Sequence, residues 1–219
     1  MTSTLHDYWH DYIERCKQIG GEHSCQTATG ATPEEIRAIE LKYGVTLPNS
    51  YRALLEVTNG LTLMNTDCLD FYPDEHLFYP INEIGLFNQR CDPEELWQDQ
   101  IEENYPYPEA DYQFFYDRNL QVIDSLGNIA PSKMQDKRAL FRYKDSYDLI
   151  QFGHYRYPMT WYCFNPNSEP QKGESEIWLF SIDDALAWSD FCLKFLNFIE
   201  FAEYLLHYSI LADEEESDE

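Results

Sequence analysis

The stretch from residue 31 to residue 60 constrains the fold most, because it carries the boundary signals of two short helices. Thr32 is placed to cap the first helix, and Pro33 stands at the first helical position, where its missing N–H costs nothing. Glu35 lies three residues after Thr32 and can complete a capping box. Apolar residues then recur at helical spacing until Gly44, which we predict to be a left-handed helix stop.

The second helix of this stretch follows a short linker that ends in Pro48. We predict Pro48 at its first helical position, with Tyr51 and Leu54 on its apolar face and Asn59-Gly60 closing it. Helices of this length do not persist alone in water, and each has one apolar face. The sequence therefore predicts that the two helices pack against each other or on a shared layer.

The order of these residues resembles the SUKH superfamily, the Smi/Knr-like proteins that include bacterial immunity proteins and eukaryotic cell-wall regulators. The pattern combines two helix caps, a Gly-x-x-Leu-Pro linker and a terminal Asn-Gly. It is carried by Glu34, Glu35, Ile36, Tyr43, Gly44, Val45, Leu47, Pro48, Tyr51, Leu54, Leu55, Asn59 and Gly60. Later segments also resemble the family, namely a Phe152-Gly153 strand end and a closing helix that begins Asn197-Phe198. The residues of this pattern mark where helices begin and end, so they identify a fold and indicate no catalytic residue.

The rest of the chain predicts a single α+β domain, a mostly antiparallel sheet flanked by helices, with the two helices of 31–60 beside the closing helix. A helix is predicted over 4–19, followed by a Gly- and Thr-rich connection. Strands are predicted at 68–72 and 77–79 around a turn at Pro73-Asp74, and at 120–123, 145–152, 160–164, 176–182 and 190–196. We divide the chain into an N-terminal helix and linker (1–30), a SUKH-like domain (31–209, with an insertion at 88–119) and an acidic tail (210–219).

Charge is the strongest global feature of the chain. It has 40 Asp and Glu residues against 15 Lys and Arg, a net charge of −25. Residues 61–119 alone carry 14 acidic and 2 basic residues, and that part lies within the predicted fold. Such a surface repels nucleic acid and anionic membranes and attracts a basic partner. We therefore expect no direct contact with nucleic acid or membrane.

Within that acidic part, we predict a partner-binding surface formed by a turn, an acidic helix and neighbouring aromatic residues. Aromatic side chains rimmed by acids are typical of protein interfaces. The residues are Asp70, Asp74 and Glu75 at the turn, Glu94, Glu95, Asp99, Glu102 and Glu103 on the helix, and Tyr107 and Phe115 beyond it. A core strand beside a solvated acidic loop explains the same pattern. If the acidic helix is only solvated, the next candidate is an open sheet face around 155–161.

Sequence motifs for catalysis and cofactor binding are absent: the chain has no P-loop, no dinucleotide-binding glycine motif and no nucleophile elbow. His6, His10 and Glu14 share helical spacing, and Asp67, Asp70, Asp74 and Glu75 are close in sequence, but neither set matches a metal-binding motif. We predict no catalytic residue, no metal and no cofactor. Six scattered cysteines without a C-x-x-C pair indicate reduced thiols, with Cys16 and Cys192 in the core.

The resemblance implies a non-enzymatic immunity protein that neutralises a polymorphic toxin, often a nuclease with a basic surface. Two alternatives stay open: an intracellular scaffold or regulator of the Smi/Knr type, and an acidic hydrolase with a metal at 67–75. The N-terminus has neither a basic start nor an apolar core, so we expect a cytoplasmic protein. The sequence leaves the oligomeric state open.

Overall fold

The described part of the protein consists of helices and one antiparallel sheet. The structure is a computed structural model, and it describes residues 4–20, 25–65, 74–90, 138–140, 147–155, 160–181 and 191–208. Its helices are α1 (Leu5–Gly20), α2 (Pro33–Tyr43), α3 (Asn49–Val57), the short α4 (Phe87–Arg90) and α5 (Phe198–Tyr208), with a 3-10 turn at Ile81–Glu83. The capping box of α2 is present, because the Glu35 N–H donates to Thr32 Oγ1 (3.2 Å) and the Thr32 N–H to Glu35 Oε2 (2.8 Å).

The strands of the described residues form one sheet. They are β1 (Cys25–Thr27), β2 (Leu61–Asn65), β3 (Asp74–Phe78), β4 (Gly85–Leu86), β5 (Arg138–Leu140), β6 (Ile150–Tyr155), β7 (Thr160–Phe164), β8 (Ile177–Ser181) and β9 (Phe191–Phe195). Their order is β1-β2-β3-β6-β7-β8-β9-β5, with β4 pairing β6 to one side. Every pairing is antiparallel, which confirms the predicted α+β class.

An aromatic cluster forms the core between the helices and the sheet. Phe198, at the start of α5, is fully buried, and its ring lies 4.9 Å from that of Tyr51 on α3. Phe152 on β6 and Phe78 on β3 lie 5.4 Å and 5.6 Å from Phe198. The cluster therefore joins α3, α5 and the middle of the sheet through one ring.

Helix α1 belongs to the same core. Trp9 and Tyr12 are fully buried. The Trp9 indole N–H donates to the carbonyl of Ser50 (2.8 Å), and the Tyr12 hydroxyl donates to the carbonyl of Ala202 (2.9 Å). These bonds tie α1 to α3 and α5, so the N-terminal helix is not an appendage to the domain.

Two charged or polar contacts add a second link between α1 and α5. Arg15 forms a bidentate pair with Glu203 (2.6 and 3.1 Å), and the Tyr8 hydroxyl donates to the same carboxylate (2.5 Å). Burial and the adjacent Glu203 carboxylate raise the pKa of Tyr8 well above its usual value. The hydroxyl therefore stays protonated and remains a donor across the ordinary pH range.

Four sequence predictions about local structure are wrong. Pro48 is the cap residue of α3 rather than its first helical residue, with φ −52° and ψ 138°, because α3 begins at Asn49. Gly153 lies inside β6, next to a β-bulge, and is not a strand end. A Cβ at Gly153 would come within 2.3 Å of the Leu77 carbonyl oxygen, so close packing of β3 is what requires glycine there.

The other two concern strands and helix packing. Asp74 was predicted at a turn, but Asp74 and Glu75 are the first residues of β3 and pair with Asn65 and Met64. Helix α3 packs beside α5, whereas α2 makes its main contacts with the 3-10 turn. The predicted strands at 68–72 and 120–123 and the insertion at 88–119 lie largely or wholly outside the described residues.

Candidate binding groove

A groove of about 600 Å³ lies between the linker that joins α2 to α3 and the connection from β7 to β8. One wall is formed by residues 43–48 and the other by residues 166–169 and 173–175, with Leu86 and Asp148 completing the lining. Both walls are loops, and loops positioned by a rigid scaffold are where binding sites are most often found. We therefore take this groove as the candidate site.

The first wall is held by local geometry. Gly44 ends α2 in the left-handed conformation (φ 67°), as predicted, and the next N–H, of Val45, donates to the Glu40 carbonyl (3.0 Å). The Glu40 carboxylate accepts from the Leu47 N–H (2.9 Å) and also pairs with Arg52 on α3. Glu40 therefore joins the end of α2, the linker and α3.

The second wall is a turn that bonds to itself. The Asn165 N–H donates to the Glu176 carbonyl (3.0 Å), and the Asn167 N–H donates to Asn165 Oδ1 (3.0 Å). The Gly173 N–H donates to Glu169 Oε1 (3.0 Å). These bonds give the β7–β8 connection a defined shape without regular secondary structure.

The two walls are joined to each other at the start of α3. The Asn49 N–H donates to the Gly173 carbonyl (2.8 Å), the Ser50 N–H to Glu174 Oε1 (2.9 Å) and the Ser50 hydroxyl to Glu174 Oε2 (2.6 Å). Pro48 has no side-chain donor or acceptor, so Glu174 supplies the missing cap and its charge favours the helix N-terminus. These hydrogen bonds therefore hold the two walls of the groove together at the start of α3.

Glycine is required at position 173 for two reasons. Its φ is 75°, in the left-handed region, and a Cβ there would lie 2.1 Å from the side-chain nitrogen of Asn49. A side chain at this position would strain the backbone and would force the Asn49 side chain to move.

The lining of the groove is acidic. Asp148, Glu169 and Glu174 contribute carboxylates, and none of the lining residues is Lys, Arg or His. Asp148 and Glu169 are exposed to solvent, and carboxylates held close together still produce a local negative potential that attracts cations. The groove is therefore suited to a positively charged group and unsuited to phosphate.

Most of the sequence-predicted interface lies outside the described residues. Asp74 and Glu75 are the first residues of β3. The rest of the set falls in the undescribed ranges, namely Asp70, Glu94, Glu95, Asp99, Glu102, Glu103, Tyr107 and Phe115. The fold-signature residues, in contrast, are described, and Gly44, Leu47 and Pro48 line the groove.

Further signature residues support the structure around the groove. The Asn59 side-chain carbonyl accepts from the Ile81 N–H (2.7 Å), which fixes the 3-10 turn to the end of α3. Gly60 has φ 99°, and Leu54 and Tyr51 are almost fully buried. The alternative of an open sheet face around 155–161 is wrong at Thr160 and Trp161, which are only 7% and 4% exposed.

Two of the three possible metal ligands of α1, His6 and Glu14, have other partners in the structure. His6 Nε2 lies 2.7 Å from Glu56 Oε2, and Glu14 pairs with Lys17 at 2.9 Å. Among the described residues, no group of three or more His, Cys, Asp or Glu side chains could hold a metal ion. Nor is any helix in that part of the chain long and apolar enough to cross a membrane.

Sequence reasoning did not single out the acids of the groove. Asp148, Glu169 and Glu174 are spread over two segments, and only the pairing of β7 with β8 brings the second segment against the α2–α3 linker. The available signal was the polar turn 165–173 with its proline and glycine residues, which we identified as a turn and nothing more.

Taken together, these features define an α+β protein with a helical layer on one face of an antiparallel sheet and a small acidic groove. The sequence model of the SMI1/KNR4 family (SUKH-1) matches residues 30–206. The chain belongs to this family. A search of curated proteins returns no match. The match begins after α1, although α1 is part of the core.

Proposed function

We propose that this protein is an immunity protein, which binds a cognate polymorphic toxin in the cytoplasm and neutralises it without catalysis. The observation that carries the proposal is a net charge of −25 on a SUKH-1 fold. A charge of this size is a property of association and specificity rather than of folding. It suits a toxin with a basic surface, such as a nuclease.

The proposed mechanism is competition for the toxin's own binding surface. A nuclease places basic residues where phosphates of its substrate bind. Carboxylates of the inhibitor would occupy those positions, so that substrate and inhibitor exclude each other. Complementary charge would also speed the encounter between the two proteins.

The proposed contact surface combines the sequence-predicted acids with the groove. It includes Glu95, Asp99 and Glu102 of the helix predicted from the sequence, with Tyr107 and Phe115 as aromatic anchors, and the residues Asp70, Asp74 and Glu75. In such interfaces, rim charges control association and central aromatic side chains control dissociation.

The test is protection of cells that express the toxin encoded by the gene adjacent to this one. We expect the parent protein to restore growth, and Glu95→Lys, Asp99→Lys and Glu102→Lys together to abolish protection. A matched variant reverses three exposed acids elsewhere, Glu14, Glu34 and Glu83, and should still protect.

Both variants are first compared by thermal melting, which should show folded proteins. If the parent protein neither protects the cells nor binds that toxin, the proposed function is wrong. A protein that binds an endogenous signalling partner instead would indicate the scaffold alternative.

A further inference from the structure

We propose that the groove between the α2–α3 linker and the β7–β8 connection binds an arginine side chain on a loop of the partner protein. This rests on the proposed function for the identity of the partner, but not for the chemistry of the ligand. The groove has about 600 Å³, more than one side chain fills, so a short loop segment can enter it.

The first observation is uncompensated negative charge. Asp148, Glu169 and Glu174 line the groove, and none of the ion pairs found among the described residues includes them. Lys172 belongs to the same connection, but it is exposed and does not line the groove. The charge is therefore available to a cation that comes from outside the described part of the chain.

The second observation is a serine in the groove lining that is largely buried and whose hydroxyl makes no hydrogen bond within the described residues. Ser175 is 7% exposed and lines the groove, and within the described part of the chain its side chain makes no hydrogen bond. Other serines nearby are satisfied: the Ser50 hydroxyl donates to Glu174 and the Ser168 hydroxyl donates to the Asn165 carbonyl (2.9 Å). The Ser175 hydroxyl is not among the fully buried unpaired atoms, so it keeps access to the groove and is available to a polar ligand there.

The three carboxylates differ in how many of their oxygens already accept hydrogen bonds. Both oxygens of Glu174 already accept hydrogen bonds from Ser50, so Glu174 contributes charge and holds the wall. Glu169 uses Oε1 for the Gly173 N–H, and Asp148 makes no hydrogen bond within the described residues. Asp148 and Glu169 are therefore the acceptors that a ligand can reach.

Arginine fits this combination better than other cationic groups. Its planar guanidinium presents five N–H donors in a fixed fork and binds carboxylates with two parallel hydrogen bonds. The remaining donors can reach a hydroxyl such as that of Ser175. Because the walls are already joined through Glu174 and Gly173, the site needs little reorganisation on binding.

The proposal is tested with a short acetylated and amidated peptide that carries arginines between glycines. Binding is followed by calorimetry and by amide chemical shifts of the ¹⁵N-labelled full chain. A peptide with citrulline in place of arginine has nearly the same shape without the charge. We expect the arginine peptide to shift amides of the non-proline residues within 43–48 and 167–175, and the citrulline peptide to leave them unchanged.

Three variants separate a built site from general attraction by charge. Asp148→Asn with Glu169→Gln should weaken binding of the arginine peptide by about tenfold or more. Ser175→Ala, which leaves the net charge unchanged, should weaken it severalfold. Glu34→Gln with Glu83→Gln removes the same charge from exposed positions elsewhere and should leave the affinity within about twofold.

The proposal is overturned if the arginine peptide does not shift groove amides, or if both double variants lose affinity equally. Melting curves confirm that each variant is folded. Titration of the cognate toxin with the same variants distinguishes this proposal from the proposed function. If the toxin binds the variant with Asp148→Asn and Glu169→Gln as tightly as it binds the parent, the groove proposal is wrong and the immunity function stands. If the arginine peptide binds the groove but no toxin binds the protein, the groove proposal stands and the immunity function is wrong.

Discussion

At Gly44 the backbone, and not the space around it, requires glycine. Its φ is 67°, and an added Cβ would have no atom within 4 Å. We predict that Gly44→Val lowers the free energy of unfolding by more than about 1 kcal/mol, through the left-handed conformation alone. Gly44→Asn is the control, because asparagine tolerates that conformation, and it should cost clearly less. Equal melting midpoints for both variants and the parent would contradict the assignment.

The buried thiols predict how stability depends on alkaline pH. Burial raises the pKa of Cys16 from 9.0 to about 12 and that of Cys25 to about 11. The folded state therefore holds these protons more tightly than the unfolded state does. The stabilisation is complete below about pH 9, and it is lost as pH rises from the unfolded toward the folded pKa.

Denaturant titrations at pH 8, 9 and 10 measure this effect. We expect the free energy of unfolding to fall above about pH 9, and to fall less steeply for Cys16→Ala with Cys25→Ala. The comparison uses the slope against pH, because the alanine variants also lose packing. The same slope in both proteins would show that the two thiols are not the groups that titrate.

Among the elements, α3 depends on a residue that is distant in sequence. Glu174, on the β7–β8 connection, caps its N-terminus through Ser50. We predict that Glu174→Ala destabilises the fold by about 1–2 kcal/mol, a typical cost for a lost helix cap. Chemical denaturation of Glu174→Ala, Ser50→Ala and the double variant forms a thermodynamic cycle. Additive costs would mean that the two side chains do not interact.

Helix α1 lies outside the region matched by the family, yet we predict that the fold depends on it. Trp9 is fully buried and bonded to Ser50, so Trp9→Ala should cost about 3–5 kcal/mol in unfolding free energy. Leu5 on the same helix is 37% exposed and supplies the control, since Leu5→Ala should cost far less. Similar unfolding midpoints for the two variants would show that α1 packs loosely on the domain.

How far the sequence predicts each element depends on how local its cause is. The cap at Thr32, the stop at Gly44 and the start of α5 at Asn197 were predicted correctly, because each signal lies within a few residues. Strands β1 and β5 were missed, since each has only three residues and exists through pairing with a distant strand. Pro48 was misplaced by one residue, and the side chain that bonds the start of α3, Glu174, is 124 residues from its partner Ser50.

In the candidate site too, the sequence predicts features with local causes and misses those that depend on distant segments. The sequence identified Gly44, Leu47 and Pro48, but only as residues that mark the ends of helices. Their role as a wall of the groove depends on the β7–β8 connection, which the sequence could identify as a polar turn but could not place against α3. Sequence reasoning therefore predicted the parts of the groove without predicting that they meet.

At the scale of the whole molecule, charge dominates the expected behaviour. With 40 acidic and 15 basic residues, the surface favours basic partners and repels anionic ones. A fold of this family needs no such excess for its core, which is built from aromatic and aliphatic side chains. The excess of acids is therefore a feature that the proposed partner binding would explain.

The most direct measurement is the rate at which the protein associates with the proposed cognate toxin, followed by stopped flow as salt rises from about 50 to 500 mM. If binding is steered by opposite charges, the association rate should fall by about tenfold or more over this range, while dissociation changes little. The variant with Lys at positions 95, 99 and 102 should start slower and depend less on salt. An association rate that is the same at both salt concentrations would contradict the proposal that an acidic surface captures a basic toxin.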